Sequence, residues 1–531
     1  METTAARILR WDSEMQAQRQ PHESVWRRCF EATYPERGQG LGGDDVMTAQ
    51  TAQNKRAEQM DSTAADAVRL LTSSIMSGMT PANDVWFALD AGDETDEERR
   101  WLDGVAKFLW EQIHGANYDA AKFEAVLDSV AAGWFCLFIP EGDTLTFEQW
   151  PLAQVKFRCS KAGGLVDTVI RRFKLSAEQA MNAYGDACSD KVKDAAAQGK
   201  LDQFEFVMAI YPRADYVKGS RLAKNLPIAS CHVEVATKQL VRESGYHEMP
   251  AIVPRWMTLP GSDYAVGPVS AALPTINELN TLLQLESQAL SRAAAGVYVA
   301  EDDGVLNPRV VKVKGGSVIV ANSVDSIKEL PSGADFNVTF SKADQLRAEI
   351  RRILMADQLQ PQDGPAMTAT EVHVRVALIR QLLGPLFGRF QAEDLAPTIT
   401  RVFGMAYRAG LLGTPPDTLR DRILTIRYQS PLARAQKLEE VTAVERLAAN
   451  AGAMVQSGFP EAADLIDVDN SLRLMADGLG APAKALRDEK AVAKLRDKRE
   501  KQQQQAMQQE QAMVLQQEAA KAAMNRAAKV A

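Results

Sequence analysis

Apolar residues recur at steps of three and four along much of the chain, which is the period of a helix with one buried face. From Ala5 to Phe30 the pattern is mixed but helical, with Ile8, Leu9, Val25, Trp26 and Phe30 as its apolar positions. From Lys55 to Met76, the positions Met60, Ala64, Ala67, Val68, Leu71 and Ile75 predict one continuous helix, which Gly78 and Pro81 end. A third helix opens in the acidic stretch Asp93 to Glu98, suited to the positive end of a helix dipole, and carries Trp101, Leu102, Val105, Phe108, Leu109 and Ile113 before stopping at Gly115.

The texture then changes to short β-type runs. Trp134 to Ile139 and Thr144 to Trp150 flank the turn Glu141-Gly142-Asp143, and Gln154 to Cys159 and Leu165 to Phe173 flank Gly163-Gly164. Ser176 with Gln179 reads as a capping box opening a helix. Phe204 to Tyr211 and Ser230 to Ala236 add strands, so that residues 134 to about 256 form a mixed region of antiparallel hairpins.

Helix returns from Leu273 to Ala295, with Pro274 in the first turn, where a missing N–H costs nothing. Gly296 to Leu330 reads as short strands rich in Val and Gly. Ser341 and Asp344 mark a capping box, and Leu346, Ile350, Ile353 and Leu354 give the apolar stripe of a helix ending near Ala356. A Pro/Gly loop precedes a long helical pattern from Thr370 to about Asp394, and Pro385 inside it predicts a kink near Gly384. Pro397 interrupts again before a helix from about Thr398 to Ala409, which Gly410 stops. After Leu432 the chain is almost all helix-forming, and nine of the sixteen residues from Gln502 to Gln517 are glutamine. With few apolar anchors, this tail is expected to be frayed alone or packed beside copies of itself.

Composition bounds what such a chain does. At 531 residues it exceeds one ordinary domain. Its net charge of -8 disfavours a protein that coats nucleic acid over most of its surface, though not a local basic patch. Residues 481–531 carry eleven basic and six acidic residues, a net of +5, which leaves -13 for the rest. Five scattered cysteines offer neither a disulfide framework nor a zinc site. The start lacks a secretory pattern, and the longest apolar run, Val130 to Ile139, is half of what a membrane span needs (about 20 residues). A soluble protein made in a cytoplasm, with no membrane partner, is expected.

Catalytic chemistry finds little support. The chain has no phosphate loop and no Gly-x-Ser-x-Gly elbow, and its five histidines lack metal-ligand spacing. No catalytic residue, metal site or cofactor is assigned. Asp464, Asp467 and Asp469 lack the glycine and closing glutamate of a calcium loop. Basic residues remain. Lys342, Arg347, Arg351 and Arg352 stud the helix after the β-type module, with Arg347 and Arg351 on one face. Lys484, Arg487, Lys490, Lys494, Arg496, Lys498, Arg499 and Lys501 stud the tail, interleaved with acids. On one chain these are ordinary solvated helices; repeated around a ring, a modest charge becomes a field suited to phosphate backbones.

Four segments resemble the head-to-tail connector (portal) family of short-tailed bacteriophages. They are Ser73-Ser74-Ile75-Met76-Ser77-Gly78-Met79-Thr80-Pro81 with Trp86-Phe87; Pro250 to Trp256 with Tyr264, Gly267-Pro268, Leu273-Pro274 and Asn280; Met367-Thr368-Ala369-Thr370-Glu371-Val372 with Leu383-Gly384-Pro385, Glu393, Leu395 and Pro397; and Ser430 to Gln436. They occur in the family's order and span most of residues 1 to about 440.

The resemblance implies a non-enzymatic ring, typically of twelve subunits, at one capsid vertex of the virion. Double-stranded DNA would pass through its channel without sequence preference, and the packaging terminase, a tail adaptor and the capsid and scaffolding proteins would dock on it. It implies an α+β, predominantly helical fold of wing, stem, clip and crown with a long helical glutamine-rich tail. The parts would be a wing region over 1–266, a stem helix over 267–295, a clip β module over 296–340, a second stem helix over 341–356, a tunnel loop over 357–369, kinked wing helices over 370–430 and a helical crown or barrel over 431–531. The loop lacks Lys and Arg, so a gate there would be steric or hydrogen-bonding, through Gln358, Gln360 and Gln362. Basic rings would come from Lys342, Arg347, Arg351 and Arg352. The alternatives are another virion part, a tail adaptor or scaffold, or a DNA-packaging nuclease.

Overall fold

The computed structural model describes residues 2–42, 46–92, 94–161, 163–220, 222–295, 298–300, 327–329, 336–359, 384, 387–419, 422, 424–428, 431–457, 459, 466–478, 487, 492–505 and 507. It is a mixed helical and sheet protein whose chain divides into two compact units, Met1–Trp86 with Lys107–Gly413, and Phe87–Ala106 with Thr414–Ala531.

The first unit opens with helix α1 (Thr4–Ala32), α2 (Ala49–Glu58) and α3 (Thr63–Met79). The apolar stripe from Lys55 to Met76 is therefore broken: Gln59 to Ser62 are not helical, and α3 starts afresh after them. At the start of α3, Asp61 accepts the backbone N–H of Thr63 at 2.8 Å, a local side-chain bond that competes with a continuous helix. Strand β1 (Phe87–Asp90) and the first part of helix α4 (Asp96–Gly115) belong to the second unit; the chain returns to the first at Lys107 and continues into α5 (Tyr118–Ala132).

Antiparallel strands come next: β2 (Cys136–Phe138), β3 (Glu148–Trp150), β4 (Val155–Arg158) and β5 (Thr168–Ser176). Helices α6 (Ala177–Tyr184) and α7 (Asp190–Ala197) precede β6 (Gln203–Pro212), β7 (Ile228–Glu234), β8 (Gln239–Tyr246) and the short β9 (Ala251–Ile252), β10 (Met257–Thr258) and β11 (Ala265–Val266). The capping box forms as the sequence predicts, with Ser176 Oγ accepting from the Gln179 N–H and Gln179 Oε1 from the Ser176 N–H.

The main sheet is a meander in the order β4-β5-β6-β7-β8, and a second sheet has the order β3-β2-β9. Period-two alternation sends the residues of β6 to opposite faces. Val207 and Ala209, with Ile170, Cys231 and Val233, meet Ala5, Ile8 and Met15 of α1. Met208 and Ile210, with Val155, Phe157 and Val169, meet an aromatic core of Trp26, Phe30, Trp134 and Tyr264. Phe206, further along the second face, packs on Ala180 and Val192 from α6 and α7. One long helix thus serves both cores: the first half of α1 covers one face and its last turns enter the other. Between them, the buried Arg19 donates to the Ala153 and Val155 carbonyls at 3.1 and 2.8 Å beside the edge strand β4.

Gly133 closes α5 in the left-handed region, φ 95°, where a Cβ would lie 2.3 Å from the carbonyl carbon of Val266. A glycine is required both for the angle and for that close approach.

Helix α8 (Pro268–Ala295) and helix α9 (Phe336–Ile353) flank the strands β12 (Tyr298–Ala300) and β13 (Ile327–Glu329), which pair antiparallel. The intervening residues 301–326, expected as short strands, lie outside the described ones. Two helix starts depart from the sequence reading. Pro274 sits inside α8 rather than in its first turn, and Ser341 lies inside α9, which begins at Phe336, so residues 336–340 are helical and not part of a β module. A short helix α10 (Ala356–Leu359) occupies the start of the expected loop; the kink at Pro385 and residues 360–383 lie outside the described ones. Upstream of Pro397 the backbone forms a π-helical turn, Gln391–Leu395, that runs into α11 (Ala396–Arg408). A proline has no N–H for the carbonyl four residues back, and the wider turn absorbs that loss without breaking the helix.

In the second unit, β1 pairs antiparallel with β14 (Thr425–Tyr428). Helices α12 (Pro431–Gln456) and α13 (Val468–Gly478) and a helical stretch over 492–505 follow. Most of the glutamine-rich segment lies outside the described residues. No described helix is long and apolar enough to cross a membrane.

Candidate nucleic-acid interface

Helices α8 and α9 pack side by side, α9 on α3 and α8 on α1 and α5. On α8, Val269, Ala272, Leu273, Ile276 and Leu279 are buried at helical spacing; beyond them Leu285 and Leu290 are exposed. On α9, Ala343, Leu346 and Ile350 are buried, as is Leu354 just after it, while Phe340 near its start is exposed. The helix pair is therefore anchored at one end, and beyond that end Leu285, Leu290 and Phe340 stand exposed.

The four cations of α9 fare differently. Lys342 is paired with Glu278 of α8 at 3.2 Å. Arg347 is held twice at 2.9 Å, by Asp61 before α3 and by Asp344 one turn back. Burial pushes the Asp61 carboxyl up, but hydrogen bonds from Thr63 and Arg347 outweigh it and keep it below its ordinary value. Arg347 is thus a tie between α9 and α3. Arg352 lies 3.7 Å from Glu349 on an exposed face, a pair worth little in water. Arg351 has no ion-pair partner among the described residues; it lines a cavity of about 510 Å³ between α9, α10 and α3. Gln358 lies in α10, and Gln360 and Gln362 lie outside the described residues.

Helix α11 and the turn before it are fixed by buried charge. Glu393 accepts three hydrogen bonds from Arg255, from its backbone N–H at 3.0 Å, Nε at 3.1 Å and Nη2 at 2.7 Å. The neighbouring Asp394, fully buried, is paired with Lys122 of α5. Burial pushes the Lys122 ammonium down and the Asp394 carboxyl up, and each opposes the shift of the other. Two consecutive acids point in different directions from one π turn, and each finds a cation from a different part of the core. Segments that look independent in the sequence meet here: Pro254-Arg255-Trp256 holds Glu393. Asn280, of that same segment, accepts the Met60 N–H at 3.3 Å.

In the second unit Arg496 forms a two-pronged pair with Asp469 of α13, both distances 2.6 Å. Lys494, Lys498, Arg499 and Lys501 are exposed along the stretch 492–505. The Arg487 carbonyl accepts from Arg473 at 3.4 Å, and Lys484 and Lys490 lie outside the described residues.

Sequence reasoning missed Asp61, Asp66 and Arg69. All three flank or sit in the stripe of α3, where only apolar positions carried a periodic signal. Their opposition to α9 is a tertiary fact.

Residues 5–486 match the model of the family described as bacteriophage head to tail connecting protein. The chain is similar to a probable portal protein of Bordetella phage BPP-1, 28% identical over 96% of this chain and 93% of that protein. It is also similar to a portal protein of Salmonella phage epsilon15, 27% identical over 95% and 93%. A portal protein of Escherichia phage T7 is 21% identical over 72% of this chain and 70% of that protein.

Proposed function

The chain belongs to the bacteriophage head to tail connecting protein family, a structural connector with a portal function and no enzymatic one, and from that premise we propose the working parts. Portal proteins sit at a capsid vertex as ring oligomers joining capsid to tail. Twelve copies of this chain form the ring, made in the host cytoplasm, and double-stranded DNA passes through its bore during packaging and ejection. The packaging terminase docks first and a tail adaptor later, while capsid and scaffolding proteins hold the outer face.

In this reading the wing is the sheet and helix core of the first unit, the stem is α8 with α9, and the clip lies between them, where β12 pairs with β13. The helices after residue 431 form the crown. Sparse cations on an acidic chain suit a conduit, because DNA must slide through it and contacts to phosphates must stay weak and sequence-independent.

The match of the family model across residues 5–486 carries the reading. Electron microscopy of the purified full chain, averaged end-on, tests it. A closed ring with a bore wide enough for a duplex is expected. Monomers alone at high concentration, and after addition of scaffolding protein, would count against it.

A further inference from the structure

Three of the four α9 cations spend their charge inside the chain, on Glu278, on Asp61 with Asp344, and on Glu349. Arg351 does not, among the described residues. It faces a cavity of about 510 Å³, within the range of small-ligand sites. Across that cavity α3 presents a second guanidinium, Arg69, and the hydroxyl-bearing residues Ser62, Thr63 and Ser73. The opening turn of α3 lies at the same place and adds the partial positive charge of a helix start. One acid lines the cavity, Asp66, and it is already engaged: the Ser62 hydroxyl donates to it at 3.0 Å and Arg69 lies 3.5 Å away.

The rest of the lining is apolar (Ala67, Leu70, Phe123 and Ala356), so the guanidinium groups and hydroxyls are its polar part, and they match the chemistry of a phosphate group, whose oxygens accept from planar N–H forks. We propose that the cavity between α3 and α9 is a phosphate-binding site that takes a backbone phosphate of duplex DNA, with Arg351 and Arg69 as its cations. The proposal rests on the portal reading and narrows it. Of the α9 cations, Arg351 touches DNA, Arg347 holds α9 to α3, and a residue of α3 outside the stem completes the contact. Because Asp66 offsets part of the charge, each contact is weak, as a sliding duplex requires.

The test uses the full chain in its assembled state. Binding of a labelled blunt duplex is measured across a salt series for the wild type, Arg351→Gln, Arg69→Gln and the double variant. Lys174→Gln, an exposed lysine on β5, serves as a control with the same charge change. Particle mass is read on every sample. The expected result is a three- to tenfold loss of affinity for each arginine variant, with particle mass unchanged. The salt slope should fall by about one per phosphate contact removed, and inorganic phosphate should compete in the wild type. Lys174→Gln should behave as wild type.

Unchanged duplex affinity in the double variant overturns the proposal. So does loss of the assembly at unchanged affinity, which would mean the arginines meet a carboxylate of a second copy. Phosphate binding with which duplex does not compete would make the cavity a free-anion site and overturn it as well. The portal reading fails separately, if the wild type itself forms no ring.

Discussion

The sheet core of the first unit and the α8–α9 pair use similar residues to different ends. In the core, charges are buried and matched: Arg19 with Glu23, Lys156 with Asp12, Lys122 with Asp394, Arg255 with Glu393. Its aromatic residues interlock, Trp134 edge-on to Trp26 at 5.4 Å and to Phe157 at 4.9 Å. The helix pair does the reverse. Lys342, Arg347 and Arg352 are paired at or near the surface, Arg351 has no ion-pair partner among the described residues, and Leu285, Leu290 and Phe340 are 58%, 46% and 54% exposed. The core encloses its ion pairs and its aromatic side chains, whereas the helix pair, beyond Leu279, leaves large apolar side chains in the open. Leu285 and Leu290 on α8 and Phe340 on α9 are large apolar residues left for something to cover.

Breaking the core should show the largest effects. Removing one member of a buried ion pair leaves the other charge unmatched, so Lys122→Ala should lower stability by about 3–5 kcal/mol, read as a fall in urea midpoint. The double variant Lys122→Met with Asp394→Leu should recover most of that loss.

Acid should weaken the same core through His232, whose Nδ1 and the Tyr184 hydroxyl share a hydrogen bond of 2.9 Å. Burial, helped by Arg242, pushes this imidazole down from 6.5 to about 4. Between those values the unfolded chain binds a proton that the folded chain refuses. Stability is therefore present above pH 6.5 and lost as pH falls toward 4, by roughly 3 kcal/mol in total. His232→Gln should flatten that part of the pH–stability curve; an unchanged slope would assign it to other groups.

A smaller effect is expected where α6 begins. Ser176→Ala removes one half of the capping box and should cost about 1 kcal/mol, visible as faster amide exchange in α6. On the helix pair the comparison predicts almost nothing for folding. Leu285→Gln with Leu290→Gln should shift the stability of the isolated chain by no more than about 0.5 kcal/mol per site.

Much of this arrangement was legible in the sequence, and the misses have physical causes. The hairpins around residues 141–143 and 163–164 and the capping box at Ser176 are local, and local signals survive without tertiary context. Helix α5 gave no periodic signal because it is buried on nearly every side, from Val126 and Val130 to Lys122 and Asp128. A helix with no polar face has no moment to detect. Strand β8 was missed for the opposite reason. Its pattern is mostly polar, with Val241 and Gly245 as its buried positions. For the candidate site, the basic positions of α9 were legible as a charge pattern. Which of them are already neutralised was not, because Asp61 and Glu278 come from elements far away in sequence.

The central claim is that the exposed face of α8 and α9 is completed by other copies of the chain and not by its own fold. Native mass and thermal unfolding of the Leu285→Gln, Leu290→Gln variant, measured on one preparation beside the wild type, test it most directly. The account predicts that the ring is lost while unfolding of the first unit stays within about 2–4 °C of the dissociated wild-type chain. A variant that still forms full rings, or one that unfolds far below that chain, would contradict it.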